Sequence, residues 1–411
     1  MRVACECRCD RAELRYGLRR PMNAQSLSTD YLMVTARRPA TVMTRGEGSW
    51  LYDSTGRRYL DFVQGWAVNC LGHCPPVLAD AVASQARELI NCGPAFFNAR
   101  AAEAAALIAR HSFGERTFFA NSGAEANEGA IKLARKWGQK RGAYEIITLE
   151  GAFHGRTLAT MSATGKPQWK DLFEPKVPGF VKARLNDIAS VEAAISAKTV
   201  AVMLEPIQGE AGVWPASDAF LRELRDLTKQ RSLLLIADEI QTGVGRTGEL
   251  WGYQASGIEP DVMTLGKGLG GGLPAAALVT KNEFCVFEPG DQGGTFNGGS
   301  LVCAAICAVL GTVAAPAFLE QVRQSGERLR EKLQALSVKY GHGEVRGRGL
   351  LLALALSKPV GPAVVQAASD LGLLINSPRE DSLRFMPALN VSRVELDEMA
   401  ALLDAAFARL G

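Results

Sequence analysis

The amino-acid sequence predicts an α/β protein: a large domain built on a mostly parallel sheet with helices on both faces, followed by a smaller α+β domain. Three observations lead there. At about 150 residues per domain, the 411 residues have room for two or three domains. From residue 76 to residue 280, helical periodicities alternate with short, continuous apolar runs, the pattern of strands buried on both faces. Beyond Pro316 the rhythm shifts to longer helices around a strand. Apolar residues make up 47% and charged residues 22%, ordinary values for a globular chain that argue against wholesale disorder.

Taken in order, residues 1–24 are charged and aperiodic and read as a disordered extension, or as upstream sequence if Met22 is the true start. They lack an apolar signal core, so secretion is not expected. Cys5, Cys7 and Cys9 have a spacing that suits a soft metal, but no further Cys or His follows at zinc-site spacing, and no metal is expected. Residues 25–75 contain a hairpin, Ser49–Tyr52 and Arg58–Phe62 about the turn Asp53–Gly56, expected to join the small domain. Residues 76–316 form the large domain, with helices at about 76–90, 100–111, 123–139 and 217–230. Its strands are expected at 117–120, 145–149, 200–204, 233–237, 262–265 and 275–280. Residues 317–411 form the small domain, with helices at 319–336, 363–371 and 393–410 and a strand at 350–356.

Some functions lose ground at once. With 46 Lys and Arg against 43 Asp and Glu, the net charge of +3 lacks the basic excess of a nucleic-acid binder. The most apolar run, Leu301 to Phe318, is rich in small residues and broken by Pro316, which suits a buried helix better than a membrane span. Nine cysteines, an odd number spread thinly, are no disulfide framework and fit a reducing cytoplasm. Cys303 and Cys307 share one stripe of the expected buried helix.

The chemistry concentrates at strand ends. Asn121-Ser-Gly-Ala-Glu-Ala-Asn-Glu128 follows a strand and opens a helix. Ser122 and Glu125 fit a capping box, and the N–H groups of Gly123 and Ala124 form a phosphate cradle at the positive helix end. Lys267 stands among five glycines from Gly266 to Gly272, where packing is a poor reason for a lysine. A desolvated lysine there has a lowered pKa and can attack a carbonyl to form a Schiff base. Asp238 and Glu239 end another strand, and an acid so placed can keep a ring nitrogen protonated. Phe153, His154 and Arg156 follow a third strand, Glu205 and Glu210 flank a turn after a fourth, and Arg384 sits in an apolar run of the small domain. Such an isolated cation needs an anion, from the protein or from a substrate. In open α/β sheets, ligands bind where these strand-end loops converge. Gly243–Gly248 spells a dinucleotide fingerprint, but no long helix follows it, so a chance match is the better reading.

Together these motifs resemble the class-III, ornithine-type aminotransferases, from about Arg45 to the C-terminus. The stretches Gly65–His73 and Arg384–Val391 are most similar to the acetylornithine and succinylornithine branch. The resemblance implies the type I fold with a seven-stranded, mostly parallel sheet, the cofactor pyridoxal 5'-phosphate, and a homodimer with active sites at the interface. It implies that Lys267 bonds the cofactor and shuttles a proton, that Asp238 pairs with the ring nitrogen with Glu239 beside it, that Gln241 lies near the ring 3-oxygen, and that Phe153 stacks on the ring. Ser122, Gly123 and Ala124 would hold the phosphate, joined by Thr295 from the neighbouring subunit. Arg156 would bind the carboxylate of an acylornithine and the distal carboxylate of 2-oxoglutarate, and Arg384 the α-carboxylate of the oxo acid. Glu210 would pair with Arg384 while the amine donor is bound.

Two features depart from the family pattern. Asn297-Gly-Gly-Ser300 replaces the usual turn ending in Asn-Pro, and Gly294 stands where many relatives carry Ser or Thr. The expected reaction moves the terminal amino group of N-acetylornithine, or a related acylornithine, to 2-oxoglutarate by a ping-pong route. Ornithine, 4-aminobutyrate or a diamine is the alternative donor. A nicotinamide-dependent oxidoreductase and a non-catalytic member of the fold are the rival readings.

Overall fold

Seven strands form the central sheet in the order Arg116–Ala120, Ala276–Thr280, Val262–Leu265, Leu234–Asp238, Thr199–Leu204, Glu145–Leu149, Phe180–Ala183. The computed structural model describes residues 31–36 and 38–410, and the expectations for residues 1–24 lie outside them. Ala276–Thr280 runs antiparallel to both neighbours, and every other pair is parallel. The four strands from Ala276–Thr280 to Thr199–Leu204 in this order are buried at every residue, which is why they read as unbroken apolar runs. Phe180–Ala183, at the sheet edge, is short, only partly buried and carries Lys182, and no apolar run marks it in the sequence.

The expected helices are present, with bounds shifted by a few residues. Pro76–Glu88, Ala99–Arg110, Gly123–Gly138 and Asp218–Gln230 are the first four of them. The apolar run near residue 301 forms the buried helix Ser300–Val313, and Pro316 opens the next helix, Pro316–Tyr340, at an angle of 72°. Cys303 is fully buried on the first of these. No single helix among the described residues is long and apolar enough to cross a membrane.

The C-terminal part is built on a second sheet, ordered Val345–Arg348, Leu351–Ala355, Ser382–Phe385, Asn376–Arg379 and antiparallel throughout. The helices Gly361–Leu371 and Arg393–Ala408 accompany it. The N-terminal hairpin gains an outer strand, Met43–Glu47, and its strand Arg58–Asp61 pairs in parallel with Leu373–Leu374. Backbone bonds from Met386 to Phe62 and from Leu389 to Cys70 then tie the segment after the hairpin to the loop that follows Arg384.

Candidate active site

A cavity of about 250 Å³ opens at the carboxyl ends of the parallel strands. It is lined by Gly123, Ala124, Phe153 and Arg156 from three-dimensionally adjacent loops, and by Glu205, Asp238, Gln241 and Lys267. That is just below the usual range of small-molecule sites, about 300–1,000 Å³. Residues from five separate stretches of the chain thus meet where strand-end loops converge.

Lys267 follows the strand Val262–Leu265 and adopts φ +43°, a left-handed conformation that a lysine rarely holds without surrounding constraint. The neighbouring segment supplies some of that constraint, since the Cys70 thiol donates to the Gly268 carbonyl at 3.2 Å. Burial pushes the Lys267 ammonium down from its ordinary range, partly offset by the nearby Glu210 carboxylate. The result is a lysine nitrogen at the cavity wall that gives up its proton more readily than an ordinary lysine.

Asp238 is the last residue of the strand Leu234–Asp238 and is buried without a Lys or Arg partner. Its Oδ2 accepts from Asn127 Nδ2 at 2.8 Å and lies 2.7 Å from His154 Nδ1, while its Oδ1 accepts from the Ile240 amide at 3.2 Å. Asn127 is itself fixed, accepting from Thr264 and donating to the His154 carbonyl. This carboxylate is oriented and has no Lys or Arg partner, so it suits a cationic ligand atom.

Glu239 faces the other way. Its carboxyl accepts from Thr242 Oγ1 at 2.5 Å and from the amides of Gly252 and Tyr253 at 2.8 and 2.7 Å, outside the cavity lining. Burial raises it to about 7 despite those donors. Glu239, the residue after the strand's end, thus holds the following turns together, apart from the cavity that Asp238 lines.

The start of the helix Gly123–Gly138 carries the full capping box, Ser122 Oγ accepting from the Glu125 amide at 3.3 Å and Glu125 Oε2 accepting from the Ser122 amide at 3.2 Å. Ser122 is exposed and spent on the cap, whereas Gly123 and Ala124 line the cavity at the positive end of a four-turn helix. A Cβ at Gly123 would come within 2.7 Å of the Ile240 side chain, so this close approach needs glycine. Thr295 is exposed and does not line the cavity of its own chain.

The opposite side of the site is charged. Arg384, on the strand Ser382–Phe385, is wholly buried, and its Nη2 donates to Glu210 Oε1 at 2.7 Å. Its Nε donates to Asn376 at 3.0 Å, Nη1 to Gln241 Oε1 at 3.4 Å, and the Trp66 ring lies 5.6 Å from its Cζ. Gly209 makes this crowding possible, since a Cβ there would fall 1.6 Å from Gln241 Oε1. Burial raises Glu210, but Arg384 and Lys166 outweigh it and hold the carboxyl at about 2. Glu205, by contrast, is pushed up to about 8 by burial and by Asp238, with only the Phe153 amide, at 2.8 Å, bonding it. Arg156 is exposed and stacks over Trp169 at 4.8 Å, and Phe153 packs edge-on against the same ring at 5.8 Å.

The motif reading missed Asn127, Lys166, Trp66 and Trp169. Asn127 lies inside a recognised motif, one turn along the helix from Gly123, and its spacing was a usable signal. Trp66 sits in a run where Gln64, Trp66 and Ala67 all have positive φ, a strain no sequence pattern announces. The Gly243–Gly248 stretch forms turns and no helix, and its Arg246 is buried, donating to the carbonyls of Leu350 and Pro387 at 3.1 and 2.6 Å. It is a strut between the two sheets' loops and offers no dinucleotide fingerprint.

Comparison with known proteins agrees with this geometry. The class-III aminotransferase family model matches residues 31–407. The acetylornithine aminotransferase of Ralstonia nicotianae is 55% identical over 90% of this chain and 96% of its own. That of Gloeobacter violaceus is 47% identical over 95% and 98%. Among solved structures, N-acetylornithine aminotransferase from Stenotrophomonas maltophilia matches with TM-score 0.80 and 36% identity, over 91% of this chain and 97% of that one. Ornithine aminotransferase from Toxoplasma gondii matches with TM-score 0.89 and 29% identity, over 94% and 97%. The protein belongs to the class-III aminotransferases and has their α/β fold.

Proposed function

We propose that the protein holds pyridoxal 5'-phosphate in this cavity and transfers the terminal amino group of N-acetylornithine, or a related acylornithine, to 2-oxoglutarate. The observation that carries the reading is the meeting, in one cavity, of a desolvated lysine and an aspartate without a Lys or Arg partner, with a carboxylate-locked arginine beside it, bonded to Gln241 of the lining.

The residues fit the cofactor in ways that do not depend on the family name. Asp238 offers a charge to the ring nitrogen, and the start of the helix Gly123–Gly138 offers N–H groups to the phosphate. Gln241 Nε2 is buried without any partner, an orphan donor that suits the ring 3-oxygen. Phe153 presents its ring to the cavity. When bound, the cofactor supplies an electrophilic aldehyde and a cationic ring that takes up negative charge from the substrate carbon, and it carries nitrogen between the two half-reactions.

The chain's own residues do the rest. Lys267 Nζ would hold the cofactor at its aldehyde and would take and return the proton at the substrate's reacting carbon, a role helped by its lowered pKa. His154 and Asn127 keep Asp238 facing the ring. Arg156 binds the donor's carboxylate and the distal carboxylate of 2-oxoglutarate. Arg384 is masked by Glu210 while the donor, which has no carboxylate at its reacting end, is bound. It is unmasked for the α-carboxylate of the acceptor.

The protein is proposed to act as a homodimer in the cytoplasm. Ile90, Phe96, Phe97 and Phe296 are exposed, and bonds from Leu301 to Ile90 and from Asn98 to Gly298 bring their loops together in one apolar patch. Thr295 is exposed next to Phe296, and in the proposed dimer it would reach a second copy's phosphate site. The described cysteines are unpaired, which suits a reducing compartment.

The test is an absorption spectrum of the protein supplied with pyridoxal phosphate, before and after a single addition of N-acetylornithine, ornithine, 4-aminobutyrate or a diamine. N-acetylornithine is expected to convert the cofactor fastest. A spectrum that responds to 4-aminobutyrate and not to N-acetylornithine refutes the donor assignment.

A further inference from the structure

Glu210 has a second cation that the proposed reaction does not use. Lys166 Nζ donates to Glu210 Oε2 at 3.0 Å, on the opposite oxygen from Arg384. Lys166 is mostly buried, its side chain 14% exposed, and its ammonium sits 4.9 Å from the Phe153 ring and 5.2 Å from the Trp169 ring. The backbone fixes that position. Gly165 donates to the Ala152 carbonyl and accepts from Gly151, and a Cβ on Gly165 would fall 2.3 Å from the Leu149 carbonyl, so Lys166 springs from a point pinned to the sheet. Pro167 then turns the chain into a short 3-10 turn that carries Trp169.

Opening the Arg384–Glu210 pair has a cost that depends on what Glu210 meets afterwards. A largely buried carboxylate left without a partner is strongly unfavourable, whereas one that keeps a charge-assisted bond is not. We propose that Lys166 is the resting partner of Glu210, a positioning residue that keeps the carboxylate paired when Arg384 is given up to a dicarboxylate acceptor. This rests on the acceptor reading above and adds a determinant of acceptor affinity. The two oxygens of Glu210 divide the work: Oε1 is the exchangeable contact and Oε2 the retained one. Lys166 acts on the acceptor through Glu210 and does not bind it.

The experiment measures the dissociation constant of glutarate, an unreactive dicarboxylate, by calorimetry on the protein reconstituted with pyridoxal phosphate. Lys166→Met is expected to weaken glutarate roughly tenfold, the size of one charge-assisted hydrogen bond to a partly shielded carboxylate. Lys166→Arg should restore most of the affinity. In a Glu210→Gln background, Lys166→Met should have no further effect, because Arg384 is no longer masked by a charge. Wild-type affinity in Lys166→Met overturns the proposal. So does an equal loss in both backgrounds, which makes Lys166 a direct ligand. An unsubstituted protein that fails to bind glutarate refutes instead the acceptor reading, a result distinct from either.

Discussion

Replacing Arg384 by alanine separates the two half-reactions. Its guanidinium is fully buried and makes three side-chain hydrogen bonds, the one to Glu210 at 2.7 Å being the shortest. In the acceptor half as proposed, the α-carboxylate of 2-oxoglutarate would replace Glu210 on this fork. Losing two charge-assisted bonds of about 1.5–3 kcal/mol each, discounted for water entering the space, leaves a deficit of about 3–4 kcal/mol, or roughly 10²–10³ in kcat/KM. In the donor half as proposed, the reacting end of the substrate would not touch Arg384. There the variant removes one donor each from Glu210, Asn376 and Gln241, and Lys166, at 3.0 Å, still pairs the Glu210 carboxylate. The donor half should fall by less than about tenfold. Rapid mixing with each substrate under single-turnover conditions reads the two rates from the cofactor absorbance, and a thermal melt confirms the fold. An equal fall in both halves, or an unaffected acceptor half, refutes the argument.

Three further outcomes are expected. Lys267→Ala should abolish nearly all turnover and alter the visible spectrum of the protein incubated with pyridoxal phosphate, and a variant spectrum matching the parent's would remove Lys267 from its role. Glu239→Ala should leave the cofactor spectrum unchanged but cost about 2–4 kcal/mol in chemical denaturation, because the buried amides of Gly252 and Tyr253 lose their acceptor; lost cofactor with intact stability would contradict this. Glu205 is raised to about 8, so its protonated form is favoured in the folded protein, and the parent should lose stability as pH rises from the ordinary carboxylate range through 8. Glu205→Gln lacks that titration, so its melting temperature relative to the parent should climb across this interval, and a pH-independent difference would show that Glu205 is already ionised at low pH.

Much of the site was legible because certain residues resist a packing explanation. A lysine among glycines, an acid ending an apolar strand and an arginine inside one each demand a partner, and Lys267, Asp238 and Arg384 all meet in or beside one cavity. Adjacency in sequence does not bring Glu239 into the cavity, because it follows the strand's end and bonds the turns beyond. Lys166 was invisible for a different reason. Nothing local distinguishes it from nearby Lys170 and Lys176, and only the pinned Gly165 aims it at Glu210. In the fold, strands buried on both faces announced themselves, whereas Phe180–Ala183 and the small-sheet strands Val345–Arg348 and Asn376–Arg379 did not. The first and last of these carry polar or basic residues, and Val345–Arg348 is Val-Arg-Gly-Arg, which has no apolar face to detect.

The placement of Arg384 also bears on how one pocket serves two substrates. Arg384 rides on the small sheet, and Glu210 on a loop of the large one, so exchange of partners has two possible origins: the sheets shift, or the carboxylate turns. The structure favours the second. Arg246, from the turns after the strand Leu234–Asp238, is buried and donates to the carbonyls of Leu350 and Pro387, pinning the C-terminal end of the strand that carries Arg384. The backbone beyond it is bonded to the N-terminal segment, Met386 to Phe62 and Leu389 to Cys70, and the Cys70 thiol reaches the Lys267 turn itself. Moving Arg384 by sliding one sheet would break several buried hydrogen bonds together and strand a guanidinium with no carboxylate nearby, at a cost of several kcal/mol. Turning Glu210 breaks one bond and, with Lys166 retained, leaves no buried charge unpaired. The cheaper path runs through the side chain, so the arginine is the fixed element of the site and the glutamate the moving one.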